Sequence, residues 1–381
     1  MSHDAYICPE CGTTYPLASL AFRCACGGLL DAAPFEVVFP PSGDYAGERS
    51  VFRYRQAMPP FAGDNAALDA SWRRVTMGEG LTPLLPLDPT DPGVLVKVDY
   101  AMPTLSFKDR GAAVLVSAAA AAGARRLVQD SSGNAGASVA AYAARAGMSC
   151  DIFVPDSCSP RKVAQIEAYG ARAVLVPGSR EDTAAAALDA AESGARDGST
   201  FYASHVYNPF FYQGTKTYVY EIFESLGGRL PDTLYIPLGN GTLLLGAYYA
   251  LKDLRGLGLI TAYPRVVAVQ AEGCAPVFRA FASGGAAVVP VANSGTEAEG
   301  IAIAAPMRGS RVLAAIRELG GEVAIAPESG IDAAKKTVAY RGFYVETTSA
   351  ATFASFFRRR AAGIDEGLVV LPLCGAGLKS A

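Results

Sequence analysis

Charge is scarce in this 381-residue chain. Only 18% of the residues are charged and neither sign is in surplus, 33 Lys and Arg standing against 36 Asp and Glu. With 51% hydrophobic residues, so little charge argues against a disordered polymer. A net charge of −3 also lacks the basic excess that advertises nucleic-acid binding. Long hydrophobic runs are missing too: the longest, "AAVLVSAAAAAGA" at 112–124, is too short and alanine-rich to span a bilayer. The opening "MSHDAYICPECG" shows no basic-then-apolar signal pattern. Eight cysteines in such a length are too sparse for a secreted disulfide scaffold. The expectation is a soluble, cytoplasmic protein with reduced thiols. At this length two domains and an appendage are expected, because a single core stops growing earlier.

Four of the eight cysteines lie in "CPECGTTYPLASLAFRCACGG" at 8–28, as the pairs Cys8/Cys11 and Cys24/Cys26. Glycine follows each pair directly and lets the backbone turn its amides toward the sulfurs. Four thiolates on two tight knuckles can close a tetrahedral zinc site, with no open position for catalysis. A hairpin of the same shape whose thiols hold no metal is the alternative, and an iron–sulfur centre a remote third. Nine of the 24 prolines and the single tryptophan, Trp72, fall within 34–92, a stretch that reads as wrapping a body and not as a layer of its own.

From residue 94 short β-rich runs alternate with alanine-rich helical stretches. Strands are expected at 94–98, 126–130, 150–154, 172–176, 233–238, 266–270, 323–326 and 368–373, with helices at 136–147, 161–169, 181–194, 243–254, 311–319 and 350–360. Such alternation implies parallel sheets covered by helices on both faces. Ligands of such folds sit at the carboxyl ends of strands, so the chemistry is sought there.

Four segments stand out at those ends. In "TLSFKDRGAAV" (104–114), Lys108 follows bulky Phe107 and opens a small-residue helix; a lysine among apolar neighbours is either solvated or used. "DSSGNAG" (130–136) leaves backbone N–H groups free at a helix start, a ready carboxylate site. "PLGNGTLLLG" (237–246) is a strand, a glycine turn and a helix, where Gly239 and Gly241 let the backbone approach an anion and Thr242 adds a hydroxyl. It lacks GK[ST] and is not GxGxxG, and many such turns are merely tight corners. "LCGAGLKS" (373–380) closes the chain with another glycine turn. A lysine amine, an amide, a phosphate cradle and a neutral polar group after a last strand are the parts a pyridoxal phosphate site needs.

The motifs "GEGLTPLLP" (78–86), "SFKDRG" (106–111), "SSGNAGASVAAYAARAG" (131–147), "NPF…GTKTYVYEI" (208–222), "PLGNGT" (237–242), "EAEGIAI" (297–303) and "GAGLK" (375–379) occur in the order and spacing of a known family. The chain resembles the fold-type II pyridoxal phosphate enzymes, and most closely their threonine synthase-like branch, part of which carries an N-terminal four-cysteine ribbon. The resemblance implies an α/β fold like that of the tryptophan synthase β chain: two parallel-sheet α/β domains plus a zinc ribbon. It implies a ribbon at 1–33, a large cofactor-binding domain at 34–105 and 216–381, and a small mobile domain at 106–215. Lys108 would be the Schiff-base lysine. Asn134 would meet the cofactor's phenolic oxygen, and Gly239, Asn240, Gly241, Thr242 and Leu243 would hold its phosphate. Cys374 would face the pyridine nitrogen. Ser131, Ser132 and the amides around Gly133 and Ala135 would receive the substrate carboxylate. Cys8, Cys11, Cys24 and Cys26 would hold structural zinc. Asp109 and Arg110 read as a structural ion pair supporting the lysine.

Three departures bear on the reaction. The family's "TGS" reads "TLS", so Leu105 narrows the entrance. Its "TGHGLK" reads "CGAGLK", and a neutral thiol at Cys374 is a weak partner for the ring nitrogen, which suits elimination and replacement. Threonine synthases commonly show "NPxR" where this chain reads "NPFF" (208–211), and Phe211 cannot pair with a substrate phosphate. Lys216 and His205 are the candidates to compensate. The implied activity is elimination or replacement at the β or γ carbon of an amino acid, as in threonine synthase acting on O-phosphohomoserine. Cysteate synthase-like replacement on phosphoserine and serine/threonine dehydration are the alternatives, with a zinc-ribbon nucleic-acid-binding protein a remote one. The partners implied are a small amino-acid substrate and a second copy of the chain, with neither nucleic acid nor membrane.

Overall fold

The computed structural model describes residues 5–39, 47–59, 61, 66–195 and 198–379. The chain divides into two compact units, one of Met1–Gly80 with Lys108–Gly214 and the other of Leu81–Phe107 with Thr215–Ala381. Among the described residues no helix is long and apolar enough to cross a membrane.

The first unit carries the cysteine ribbon, a three-stranded antiparallel sheet of Ala5–Ile7 flanked by Thr14–Pro16 and Asp31–Ala32. Its main sheet is parallel, in the order Arg172–Val176, Ser149–Pro155, Arg126–Gln129, Thr200–Tyr202. The helix Lys108–Ala121 is buried without interruption from Asp109 to Ala119. A helix covered on all sides cannot be amphipathic, which is why its sequence is mostly alanine and valine with no polar stripe. Helix Asn134–Ala146 is likewise buried from Ala135 to Ala143 and exposes only its last turn, at Ala144 and Arg145.

One expectation shifts here. The stretch read as a mere wrapping contains helix Ala66–Val75, which packs on Lys108–Ala121 and Asn134–Ala146. Its Trp72 is 2% exposed and stacks on Phe52 with ring centroids 5.1 Å apart. The packing of that helix accounts for residues up to 80 grouping with the first unit. Of the prolines counted in that stretch, Pro40, Pro41 and Pro60 lie outside the described residues.

The second unit is a six-stranded sheet ordered Glu322–Ala326, Arg265–Ala271, Thr233–Pro237, Val369–Pro372, Asp91–Lys97, Leu84–Asp88. All pairs are parallel except the last. That antiparallel edge strand was not legible, because prolines at 83, 86 and 89 argue against a strand; an edge tolerates them. Helices including Thr242–Gly256, Glu328–Ala339 and Thr347–Ala361 complete the unit, and its core joins Val96, Val267, Val269, Leu371 and Phe353. Within this core Lys97 is fully buried, with Nζ 2.6 Å from Glu221 Oε2 and 2.5 Å from the Thr82 carbonyl.

The "GEG" of the first unit has a structural use. Gly78 and Gly80 take φ of +80° and +96°, which turns Glu79 inward. Its carboxylate accepts the Met77 N–H at 2.8 Å and the Thr76 and Tyr142 hydroxyls at 3.0 Å each. Burial pushes Glu79 up to about 7 against these hydrogen bonds. A folded-state value above the unfolded one means stability is greatest below the usual carboxylate range and is lost as pH rises through 7, by about 3 kcal/mol. Thermal melts between pH 4.5 and 8 are therefore expected to show a decline that Glu79→Gln flattens.

Candidate active site

In the second unit the strands Thr233–Pro237, Val369–Pro372 and Asp91–Lys97 are consecutive neighbours and run parallel. Their carboxyl ends therefore emerge side by side, one strand spacing of about 4.8 Å apart. From the first comes the glycine turn 238–241, capping helix Thr242–Gly256 through Gly241 at φ +82°. A Cβ on Gly239 would lie 2.9 Å from the Gly300 carbonyl, and one on Gly241 would run into Val312. The turn is closed on its outer side by packing, and its amides lie at a helix N-terminus, where an anion is favoured. Thr242 and Leu243 are buried, and the Thr242 carbonyl accepts the Thr215 hydroxyl at 2.9 Å.

From the second strand comes Cys374, fully buried, whose N–H donates to Ser349 Oγ at 2.8 Å. From the third the chain runs to Phe107, whose N–H donates to the Cys374 carbonyl at 2.8 Å, beside a bridge between Ser106 and Gly375. Lys108 is the next residue. Neither Ser349 nor Glu346 was flagged by any motif, yet Glu346 lies so close to Gly375 that a Cβ there would collide with its carboxylate. The "GAG" pattern is the one signal that points to such crowding.

In the first unit Lys108 opens its helix half-buried, followed by fully buried Asp109 and Arg110. Ser138 of the neighbouring helix donates its hydroxyl to Asp109. Asn134 starts helix Asn134–Ala146, capped by Gly133, and the Ser131 hydroxyl accepts the Gly133 N–H at 3.4 Å. Gly136 has no room for a side chain, since a Cβ would collide with the Ser131 carbonyl. Ser131 and Ala135 are buried, while Ser132, Gly133 and Asn134 are half-buried.

Phe211 lies directly on Gly111, where a Cβ would come within 2.5 Å of its ring. The Lys108 Nζ is 5.8 Å from the centre of that ring. His205 meets the ring edge-on with centroids 5.5 Å apart. Lys216, the other candidate for compensation, is taken up elsewhere: it is 1% exposed and its Nζ lies 2.5 Å from Asp253.

The ribbon sulfurs of Cys8, Cys11, Cys24 and Cys26 all lie within 4.8 Å of one another. Cys8 and Cys26 are 3.6 Å apart and Cys11 and Cys24 3.5 Å, close to the sulfur–sulfur separation of about 3.8 Å in a tetrahedral zinc–thiolate site. Gly12 and Gly27, at φ +74° and +89°, supply the two knuckle turns. The hydroxyl of Tyr15 lies 3.2 Å from Cys24 Sγ and draws that thiol below its ordinary range.

The second unit thus sets a glycine turn at a helix N-terminus and buried Cys374 at adjacent strand ends, and the first opens a helix with half-buried Lys108. The chain belongs to the pyridoxal-phosphate dependent enzymes, whose family pattern matches residues 75–375. It is 32% identical to a threonine synthase of Methanocaldococcus jannaschii, over 98% of this chain and 92% of that one. It is 31% identical to a threonine synthase of Methanosarcina acetivorans, over 91% and 84%. The fold also matches maize serine racemase, with a TM-score of 0.65 at 20% identity over 83% of this chain and 94% of that one. The fold-type II architecture anticipated from the motifs is therefore the fold of this chain.

Alanine ordinarily favours a helix interior over glycine by about 1 kcal/mol. At Gly111 the order should invert: Gly111→Ala displaces the Phe211 ring and is expected to cost about 1–3 kcal/mol in urea unfolding. Adding Phe211→Leu should recover part of that loss, a coupling that a double-mutant cycle reads directly.

Proposed function

We propose that this enzyme eliminates or replaces a substituent at the β or γ carbon of an amino acid in the cytoplasm, with threonine synthase the nearest named activity. The reading rests most on the three adjacent strand ends, which set the glycine turn beside Cys374 and Cys374 beside the residue preceding Lys108. The fit to pyridoxal phosphate is supported by the cradle at Gly239 and Gly241, where side chains are sterically barred and amides face a helix N-terminus. When bound, the cofactor supplies an electron sink that makes the substrate's α-proton removable.

The protein's part is to hold and to move that proton. Lys108 would hold the cofactor's aldehyde through its amine and would take the substrate's α-proton at Nζ. Amides of Gly239, Asn240, Gly241, Thr242 and Leu243 would carry the phosphate, and Asn134 would donate to the phenolic oxygen. Cys374 would face the ring nitrogen with a thiol, a weak partner that suits loss of a leaving group. Ser131, Ser132, Gly133 and Ala135 would grip the substrate carboxylate at the start of helix Asn134–Ala146.

Purified protein is expected to show a visible absorbance band that Lys108→Ala removes together with activity. Product analysis with O-phosphohomoserine, O-phosphoserine plus sulfite, and threonine assigns the reaction. Turnover of the first alone makes it a threonine synthase despite Phe211; turnover of either other substrate selects replacement or dehydration. No band and no turnover would refute the proposal.

The ribbon thiols are read as a structural zinc site, and the enzyme as a homodimer by analogy with its fold type. Elemental analysis should find one zinc per chain, and Cys11→Ser should lower both the zinc content and the melting temperature. A zinc-free protein of unchanged stability would rule the site out.

A further inference from the structure

His205 is 5% exposed, and its Nδ1 is buried with no hydrogen-bond partner among the described residues. Buried polar atoms rarely go unpaired, because the water they surrendered is then replaced by nothing. The surroundings of this one are specific. Its imidazole stands edge-on to Phe211 at 5.5 Å, and the same ring faces the Lys108 Nζ at 5.8 Å. Gly111, three residues after Lys108, exists as glycine where the Phe211 ring needs the space. One aromatic wall thus carries the reacting amine on one contact and an unsatisfied imidazole on another.

Burial, and after it the cations of Lys108 and Arg180, keep the imidazole well below its ordinary pKa, so it is neutral. A neutral imidazole can give or take a single hydrogen bond at Nδ1 but offers no charge. If packing against Phe211 were the whole task, a leucine or phenylalanine would perform it without stranding a polar atom.

We propose that His205 selects the substrate by its side-chain oxygen: Nδ1 hydrogen-bonds the oxygen attached to the β or γ carbon, the group that the reaction loses or replaces. This rests on the reading of Lys108 given above and adds to it the residue that reads the departing oxygen. Phe211 closes the side of that subsite toward Gly111, and His205 is its polar reader. Amino acids with a bare hydrocarbon side chain leave Nδ1 unpaired and bind more weakly.

The test uses the cofactor-loaded enzyme and the change in its visible spectrum on titration with O-phospho-L-homoserine, O-phospho-L-serine, L-serine, L-threonine or L-2-aminobutyrate. The expected result is half-saturation by at least one oxygen-bearing compound at about a tenfold lower concentration than L-2-aminobutyrate, the worth of one such bond, about 1.4 kcal/mol. His205→Leu should erase that margin while leaving L-2-aminobutyrate binding unchanged, and should raise the melting temperature by removing the stranded polar atom. His205→Asn, whose side-chain amide reaches the position of Nδ1, should restore part of the margin. A margin that survives in His205→Leu overturns the proposal, as does an equal loss for every ligand, or the absence of any margin in the native enzyme. A native protein without the Lys108-dependent band would instead overturn the reading of the site itself.

Discussion

The structure of the second unit turns on one short tie, the Phe107 N–H on the Cys374 carbonyl beside the Ser106–Gly375 bridge. Parallel strands fix the heights of their carboxyl ends but not the path of the loops beyond them. The tie fixes that path. It requires a sharp reversal at Leu105, which takes φ +62° while its N–H donates to Met102 and its carbonyl accepts from Ala376. A left-handed leucine costs roughly 1–2 kcal/mol, and it persists because bonds on both sides determine it. Glycine at this position in the related pattern now has a physical reason. Leu105 keeps the turn with its side chain 40% exposed.

Buried charge is handled in two different ways. Lys97 faces Glu221, and Lys216 faces Asp253, each lysine almost wholly enclosed. Such pairs contribute little net stability, but removing one partner strands the other. They are structural, which is why Lys216 does not serve as a substrate cation. Two titratable groups of the first unit behave otherwise. Glu79 is pushed toward its neutral form by burial, and His205 is held neutral for the same reason. Where charge is paired the fold is fixed; where polar atoms are held neutral or stranded, the chain has spent stability on something besides folding.

Strands whose sequences are continuous runs of branched apolar residues were legible to within a residue or two, apart from Asp91–Lys97, which starts three residues before its expected 94–98, and Arg172–Val176 coincides with its expected span. Covered on both faces, such strands need no alternation and announce themselves. The glycine turns were legible because only glycine fits them, as the crowding at Gly239 and Gly241 bears out. What escaped were elements fixed by tertiary contact alone. Thr200–Tyr202 is three residues long, and Ala66–Val75 is held in a proline-rich stretch by Trp72 and its neighbours. Ser349 and Glu346 reach the Cys374 turn from a distant helix start, a proximity that no local spacing encodes. Lys108 itself was singled out by its neighbours in sequence, but its relation to Phe211 needed the fold.

The ribbon is not a free appendage within its unit. Tyr6 meets Phe210 with ring centroids 5.1 Å apart and accepts from Asn208 at 3.4 Å, while Tyr212 donates to Asp31. Phe22 packs edge-on against Tyr202 and Tyr207 at 5.3 and 6.1 Å. These contacts fall on the segment that runs from strand Thr200–Tyr202 through His205 and Phe211 to Tyr212. A three-stranded sheet of such short strands has little core of its own, so its rigidity and that of this segment are shared. The Phe211 ring beside Lys108 is seated in the space that Gly111 leaves, and the segment that carries it is held by the ribbon's aromatic side chains. An imidazole can be kept buried and unsatisfied only where its surroundings cannot relax around it, and this double support supplies that stiffness.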